Sequence, residues 1–276
     1  MDDLQLQARS FGAVADAYDR GRPSYPPDAA VWLTSAEPIA VLELGAGTGK
    51  LTERLVALGH DVHATDPDPA MLEILKARLP GVRTAEAVAE EIPGPDNAYD
   101  VVVGAQCFHW FDVDRAIPEI VRVLKPGGSL SLTWNERDER IPWVKRLGRI
   151  IGTQEQDVDP TEVLKKTLRF LHVEAEAFKN WQTVDRSSIQ DLVRSRSNIA
   201  VLDDTARAEK LEELLSFYDE FGRGMDGMKL PYVTRCFRAK VVKTRAEEES
   251  AATADPDAPT EPPTDDDSGT LLIDFR

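Results

Sequence analysis

The spacing of apolar and polar positions follows a repeating pattern through the first half of the chain. Short apolar runs typical of buried strands occur at residues 39–44, 61–65, 82–88, 101–103 and 129–134, and the third run is only weakly apolar. The stretches between them have helical periodicity, as at Leu51, Leu55 and Leu58. Because parallel strands joined by helices take right-handed crossovers, this order predicts a doubly wound α/β sheet up to Asn135.

The segment before the first strand is predicted to form an amphipathic helix and then an extended stretch. Phe11, Val14 and Tyr18 fall on one helical stripe. The prolines that follow favour extended backbone. A short helix over 28–34 is then expected to lead into the first strand.

Helix boundaries are marked at two further places. Asp68 suits an N-cap and Pro69 the first helical position after it. The run Lys125-Pro-Gly-Gly128 is predicted to close a helix over 114–124.

From Asp138 the regular alternation is lost. Helices are predicted at 143–151, 186–199 and 211–221, and strands at 178–183 and 230–242. The last strand is expected to be antiparallel and at the end of the sheet. We therefore predict a helical cap at about 138–230, inserted in a domain spanning 38–245 and preceded by an N-terminal helical segment over 1–37.

The C-terminal residues have a different composition. Residues 246–269 contain no apolar residue larger than alanine, and the stretch from Glu247 supplies nine of the sixteen net negative charges. Such a segment cannot bury a core, so 246–276 is predicted to be a disordered acidic tail. Its apolar end, Leu271 to Phe275, is compatible with an unused end, a docking strand or a partner motif.

Charge and cysteine content exclude several kinds of function. A pI of about 4.7 argues against binding to a nucleic-acid backbone. Cys107 and Cys236 form neither a metal-binding pattern nor a disulfide framework. The first ten residues lack a signal-peptide core, and no apolar run approaches the roughly 18 residues that span a membrane. We therefore expect a cytoplasmic protein without metal, membrane or nucleic-acid partners.

A glycine-rich loop provides the strongest candidate binding site. Residues 39–44, predicted as a strand, are followed by Gly45-Ala-Gly-Thr-Gly49 and then by a helix. Backbone N–H groups at such a loop point outward, and missing Cβ atoms let a ligand approach the main chain.

Spacing distinguishes three kinds of ligand for this loop. A dinucleotide fingerprint needs a third glycine where this chain has Lys50. A phosphate-binding P-loop needs glycine and Ser or Thr where the chain has Leu44 and Leu51. The remaining pattern, E-x-G-x-G-x-G from Glu43 to Gly49, resembles motif I of the class I S-adenosylmethionine-dependent methyltransferases.

Other segments resemble the same family. They are Pro95-Asp-Asn-x-Tyr-Asp-Val-Val102 and Val123-Leu-Lys-Pro-Gly-Gly-Ser-Leu-x-Leu-x-Trp-Asn135. The pattern Y-x-x-x-R-P-x-Y-P from Tyr18 to Pro26 is similar to that of trans-aconitate methyltransferase-like proteins, in which it folds over the cofactor as a lid. The resemblance implies a seven-stranded Rossmann-like sheet and the cofactor S-adenosyl-L-methionine.

The residues expected to hold this cofactor come from several segments. Asp66 follows the glycines by about 20 residues, the distance at which a carboxylate meets ribose hydroxyls in a βαβ unit. The resemblance implies that Glu43 holds the amino-acid end of the cofactor and that the turn at Ala89 and Glu90 contacts the adenine. The complete predicted set is Tyr18, Glu43, Gly45, Ala46, Gly47, Asp66, Pro67, Met71, Ala89, Glu90 and Gln106.

The acceptor is expected beyond the fourth strand, because open parallel sheets bind ligands at the carboxyl ends of their strands. His109 lies there, either as a general base or as a pocket wall. Arg194 and Arg196 suit a carboxylate clamp, although such arginines more often pair with surface acids.

We therefore predict a methyltransferase that acts on a small-molecule acceptor, a carboxylate or a hydroxyl, by direct in-line displacement. Two alternatives stay open at this point. One is a cofactor-binding interaction or regulatory protein without turnover. The other is a nicotinamide dehydrogenase, which Lys50 disfavours. The identity of the acceptor and the oligomeric state do not follow from the sequence.

Overall fold

The computed structural model of the chain describes residues 15–152, 159–194, 203–222, 227–244 and Glu247. One seven-stranded sheet has the order β3-β2-β1-β4-β5-β7-β6. Neighbouring strands among β1 to β5 are parallel, whereas β7 is antiparallel to both β5 and β6. The predicted doubly wound, seven-stranded Rossmann-like sheet is confirmed.

The elements have the following bounds. The strands are β1 Ala40–Leu44, β2 Asp61–Asp66, β3 Arg83–Glu86, β4 Tyr99–Ala105, β5 Leu124–Arg137, β6 Phe170–Val184 and β7 Met228–Val241. The α-helices in the described part of the chain are α1 Ala15–Gly21, α2 Pro27–Leu33, α3 Thr52–Ala57, α4 Pro69–Arg78, α5 Val113–Val123, α6 Pro142–Ile151, α7 Thr161–Thr167, α8 Ser188–Arg194 and α9 Asp204–Phe221. A short 3₁₀ turn, Phe108–Trp110, follows β4.

Neighbouring residues of each strand point to opposite faces of the sheet, and helices cover both faces. On one face Leu42 and Val102 pack with α5 residues such as Ile120. On the other, Val41 and Val101 pack in the cluster that holds α2 and α3. The strand order reverses at β1, between β2 and β4, which is where open α/β sheets bind ligands.

A second hydrophobic cluster lies in the later part of the chain. Buried residues of α6, α8 and α9 pack with Leu230 and Tyr232 at the beginning of β7. The stretch 138–230, predicted as a cap, thus contains the helices of this cluster and also the sheet strand β6.

The position of the last strand was predicted wrongly. β7 is antiparallel as expected, but it lies between β5 and β6 and not at the end of the sheet. The burial of the two strands explains this order: Leu230, Cys236 and Phe237 are buried, whereas Glu176 and Trp181 of β6 are exposed. An apolar strand is best stabilised between two neighbours, and a polar one tolerates the edge.

Three further boundaries differ from the predictions. Lys125 to Gly128 was predicted only to end a helix, but these residues belong to the first part of β5. Leu124 already pairs with Tyr99, and the register shifts before the next pair, Val101 with Ser129. β6 starts eight residues before the predicted 178, and α7 was not predicted. The helix predicted over 186–199 is α8, and residues after Arg194 lie outside the described part, as do Phe11, Val14, Arg196 and the tail from 248.

Among the described residues no helix is long and apolar enough to cross a membrane.

Candidate active site

The glycine loop joins β1 to α3 at the carboxyl edge of the sheet. Gly45 and Gly47 have φ angles of +64° and +56°, which disfavour other residues. A Cβ on Gly45 would lie 2.8 Å from the Cβ of Cys107, so the loop packs tightly against the end of β4. Among the described residues, a Cβ on Gly47 would meet only Tyr18, whose Cε1 would lie 4.0 Å away. The loop is therefore packed at Gly45 and open toward Tyr18 at Gly47.

Glu43 is a buried acid on β1, directly before this loop. It is 1% exposed, and its Oε2 accepts a hydrogen bond from Thr52 Oγ1 at 2.7 Å. Burial raises the pKa of Glu43 to about 8; the Thr52 hydrogen bond opposes this shift, and the charge of Asp66 adds to it. A cationic group bound beside Glu43 would stabilise its charged form.

Asp66 ends β2 and connects the glycine loop to the next helix. Its two carboxylate oxygens accept backbone hydrogen bonds from Gly47 N at 2.8 Å and Asp68 N at 2.9 Å. Burial raises the pKa of Asp66 to about 6 despite these hydrogen bonds. Asp68, as predicted, caps α4 by accepting from Ala70 N, and Pro69 is the first residue of the helix. Pro67 and the buried Met71 flank this cap.

The turn after β3 carries Ala89 and Glu90 and is held by α5. Ala89 is buried in the core next to α5, and Glu90 Oε1 accepts from Asp112 N at 2.7 Å. Beyond it, Ile92 N donates to Glu119 Oε2, and Ile92 O accepts from Arg122 Nη2, both within 2.9 Å. The side chain of Glu90 is thus engaged with the start of α5.

The end of β4 presents Gln106, Cys107 and His109. Gln106 has a positive φ of 59°, and its Nε2 donates to Asn135 O on β5 at 3.2 Å. Cys107 is buried, with Sγ donating to Leu44 O, and burial raises the pKa of its thiol well above the usual range. His109 is half-buried in the 3₁₀ turn, with its ring 4.7 Å from that of Trp110.

The N-terminal segment lies against this edge of the sheet. The side-chain amides of Asn135 and Asn180 donate to Ser24 O at 3.3 and 2.7 Å, and Gln182 Nε2 donates to Gly21 O at 2.9 Å. Burial holds the pKa of Tyr25 well above its usual range, and the neighbouring Tyr18 and Glu43 add to the shift. Backbone carbonyls of the N-terminal segment are thereby attached to β5 and β6.

Several contributors were not expected from the sequence. Thr52, Asn180 and Gln182 lie in helices or strands with no local motif, so only the fold brings them to the site. Asn135 did give a signal, because it is a polar residue at the end of an apolar strand.

The predicted arginine clamp is described only in part. Arg194 ends α8 on the surface, where it contacts Gln190 and lies 3.8 Å from Asp191. Arg196 lies outside the described residues. In the described part of the chain no group of three His, Cys, Asp or Glu residues could hold a metal ion.

The site therefore fits a cofactor with an ammonium group at its amino-acid end and a ribose. Glu43 offers a buried carboxyl to a cation, Asp66 a carboxylate to hydroxyls, and Gly47 an open backbone.

Known proteins resemble this chain in sequence and in fold. Residues 42–132 match the model of a family described as a methyltransferase domain. The chain is 46% identical to an uncharacterized methyltransferase of Mycobacterium tuberculosis over 233 residues, which are 83% of this chain and 95% of that protein.

Two further similarities are more distant. A malonyl-[acyl-carrier protein] O-methyltransferase of Halorhodospira halophila is 33% identical over 139 residues, 46% of this chain and 47% of that one. A solved structure assigned to a type II methyltransferase of Anaeromyxobacter dehalogenans superposes with a TM-score of 0.60 at 25% identity, covering 80% of this chain and 97% of that one.

Proposed function

This chain belongs to the class I S-adenosylmethionine-dependent methyltransferases, and on that premise we propose that it methylates a small molecule at a carboxylate or hydroxyl oxygen. The observation that carries the proposal is the attachment of Gly21 O and Ser24 O to β5 and β6. This attachment keeps the N-terminal segment across the edge of the sheet where the acceptor would enter. A small acceptor suits such an entrance better than a polymer does.

Each residue proposed to hold S-adenosyl-L-methionine contacts a different part of the cofactor. Glu43 faces its amino-acid end, the open backbone at Gly47 receives that end, and Asp66 accepts from the ribose hydroxyls. The buried Ala89 and the turn around it border the adenine. Tyr18 covers the loop from the other side.

When bound, the cofactor would supply a methyl group from its sulfonium: the acceptor oxygen would bond the methyl carbon in line with the breaking carbon–sulfur bond, and S-adenosylhomocysteine would leave. The contribution of the protein is mostly to position the acceptor, an effect that can supply about 7–11 kcal/mol at best. His109 and Trp110 form an imidazole and indole wall beyond β4. If the acceptor is a hydroxyl, His109 takes its proton. If the acceptor is an ionised carboxylate, no base is needed, and His109 lines the pocket.

Local charge supports an acidic acceptor although the whole chain is acidic. The Arg22 guanidinium lies 5.1 Å from the centre of the Tyr18 ring, and Tyr18 borders Gly47. A cation on this side of the glycine loop favours an anionic acceptor there. The relative from Halorhodospira halophila is named for O-methylation of malonyl-[acyl-carrier protein], whose malonyl group ends in a carboxylate.

The proposal is tested by a screen of small acceptors, with acids and phenols first, using release of S-adenosylhomocysteine as the signal. We expect release with at least one small acid or phenol and none with RNA or DNA. Release only with a nucleic acid or a protein would contradict the proposal.

A further inference from the structure

Helix α1 contacts both the glycine loop and the later helical cluster, through residues that follow one another in the chain. Asp19 faces the loop, and Arg20 and Gly21 face α8. The two sets of contacts join parts of the protein that are more than 100 residues apart in sequence.

On the loop side, Asp19 is the centre of a polar network. Its Oδ1 accepts from Thr48 Oγ1 at 2.8 Å, and Lys50 Nζ lies 3.5 Å away. Its Oδ2 accepts from Arg78, which also donates to Thr48 O at 2.9 Å. Thr48 is fully buried. Lys50, the residue that does not suit a dinucleotide fingerprint, thus serves to hold α1 on the glycine loop.

On the other side, α1 contacts α8 through a side-chain hydrogen bond at Arg20 and through direct backbone packing at Gly21. Arg20 Nε donates to Asp191 Oδ2 at 2.7 Å, and the side chain of Asp191 is only 11% exposed. A Cβ on Gly21 would lie 2.5 Å from the backbone of Asp191 and Leu192. Asp191 lies on α8, and its neighbours on that helix, Ile189, Leu192 and Val193, belong to the later hydrophobic cluster.

We propose that α1 couples cofactor binding to the position of α8, with Asp19 and Arg20 as the positioning residues. The inference rests on the proposed cofactor site, because Tyr18 of the same helix borders the open face of Gly47. A ligand on Gly47 that contacts Tyr18 favours the docked position of α1. Docked α1 in turn keeps Arg20 and Gly21 on α8.

The length of α1 makes such coupling physically reasonable. A helix of seven residues is not stable in isolation, so its order depends on what it contacts at both sides. When one contact already fixes the helix, the second costs less conformational entropy, and the two become cooperative. Coupling of this kind is reciprocal, so fixing α8 also strengthens cofactor binding.

The experiment measures amide hydrogen exchange of residues 188–194 with and without saturating S-adenosylhomocysteine, in the full chain. In the wild type we expect exchange of α8 to slow by about fivefold or more on binding. Arg20→Gln should lose most of this response while its calorimetric affinity for S-adenosylhomocysteine falls by less than about fivefold. Asp19→Asn should lose the response and bind about tenfold more weakly.

Two variants act as matched controls. Arg186→Gln removes an exposed arginine that pairs with Asp219, and Asp61→Asn removes an exposed aspartate that pairs with Arg83. Both should behave as the wild type, and a melting temperature near that of the wild type shows that Arg20→Gln and Asp19→Asn are folded.

The outcomes separate this inference from the cofactor site on which it rests. Binding of S-adenosylhomocysteine without any change at α8 in the wild type would overturn the coupling alone. An unchanged α8 response in both Arg20→Gln and Asp19→Asn would also overturn it. Failure of the wild type to bind S-adenosylhomocysteine would overturn the cofactor site together with the coupling.

Discussion

At the scale of single residues, the site is governed by two buried carboxyl groups, Glu43 and Asp66. The fold raises the pKa of Glu43 to about 8 and that of Asp66 to about 6, in both cases mainly through burial. A group whose folded pKa is raised makes its full contribution to stability below its unfolded pKa, and this contribution is lost as the pH rises through the folded pKa. The free protein should therefore lose stability between about pH 4 and 8. An ammonium group bound beside Glu43 would offset part of that loss.

The pH dependence of binding is the first prediction. Cofactor affinity should rise from pH 6 to about 8.5, with proton release, because the bound ammonium favours ionised Glu43. The rise can reach at most about tenfold per pH unit for one proton. Calorimetry of S-adenosylhomocysteine in two buffers of different ionisation enthalpy measures both quantities.

In this experiment Glu43→Gln should bind more weakly and lose the pH dependence above about pH 7. Glu53→Gln, which changes an exposed glutamate on the neighbouring helix, should keep it. Affinity that is constant from pH 6 to 8.5 in the wild type would contradict the assignment of Glu43.

Removing the Asp66 carboxylate gives the second prediction. Asp66→Ala removes the proposed acceptor for two ribose hydroxyls, so its affinity for S-adenosylhomocysteine should fall by about 10- to 100-fold. Asp61→Ala, at the exposed beginning of the same strand, should bind as the wild type does. Native affinity in Asp66→Ala, measured by calorimetry, would be incompatible with a ribose contact there.

The role of His109 is decided by the kinetics of one variant on an acceptor from the screen. If His109 removes a proton, His109→Asn should lower kcat by about 10²–10⁴ with cofactor affinity unchanged. If it lines the pocket, KM should rise and kcat should stay near the wild-type value. Unchanged kcat and KM would place the acceptor away from the end of β4.

At the scale of elements, the turn over the predicted adenine position depends on α5. Arg122 donates to Ile92 O, Gly94 O and Asp96, and it pairs with Glu119, which accepts from Ile92 N. The hydrogen bond with Glu119 raises the pKa of Arg122, and burial opposes this shift. One side chain thus holds three backbone or side-chain groups of the turn.

Arg122→Gln should therefore loosen this turn without disturbing the sheet. We expect the affinity for S-adenosylhomocysteine to fall by about 3- to 10-fold, since several charge-assisted hydrogen bonds are lost. Arg140→Gln, which removes an exposed arginine paired with Asp138, serves as the control. Equal affinities for both variants, determined by calorimetry, would mean that the turn does not need its anchor.

The same scale shows where sequence patterns sufficed. Strand β1, the glycine loop, β2 with Asp66, and the cap at Asp68 were predicted because local signals of apolar runs, glycines and helix caps agree there. The position of β7 in the sheet was not predicted, because it depends on which strand pairs best with β5 and not on a local pattern. Asp19, Thr52 and Asn180 carry no local signal, because tertiary packing alone brings them to the loop and the sheet edge.

At the scale of the whole molecule, the last described contact beyond the sheet belongs to Glu247. Its carboxylate accepts from Arg169 at 2.8 and 2.9 Å and from Thr244 N at 2.7 Å. This pair joins the residues after β7 to the beginning of β6. A deletion that tests the acidic tail should therefore leave Glu247 in place.

Removal of residues 248–276 should leave the melting temperature and cofactor affinity unchanged, because that stretch has too few apolar residues to repay ordering. Ending the chain at Lys243 instead removes the Arg169 pair and should cost up to about 1 kcal/mol. Thermal unfolding of both truncated proteins measures the difference. A large loss of stability in the first would mean that Leu271 to Phe275 docks on the body.

The central claim is that the methyl group passes from S-adenosyl-L-methionine to a small oxygen nucleophile. The direct measurement follows a labelled methyl group in one incubation that offers small carboxylic acids and phenols together with RNA and protein. We predict label in the low-molecular-mass fraction, as an ester or ether whose mass exceeds that of its acceptor by one methylene. Label found only in the macromolecular fraction would contradict the account.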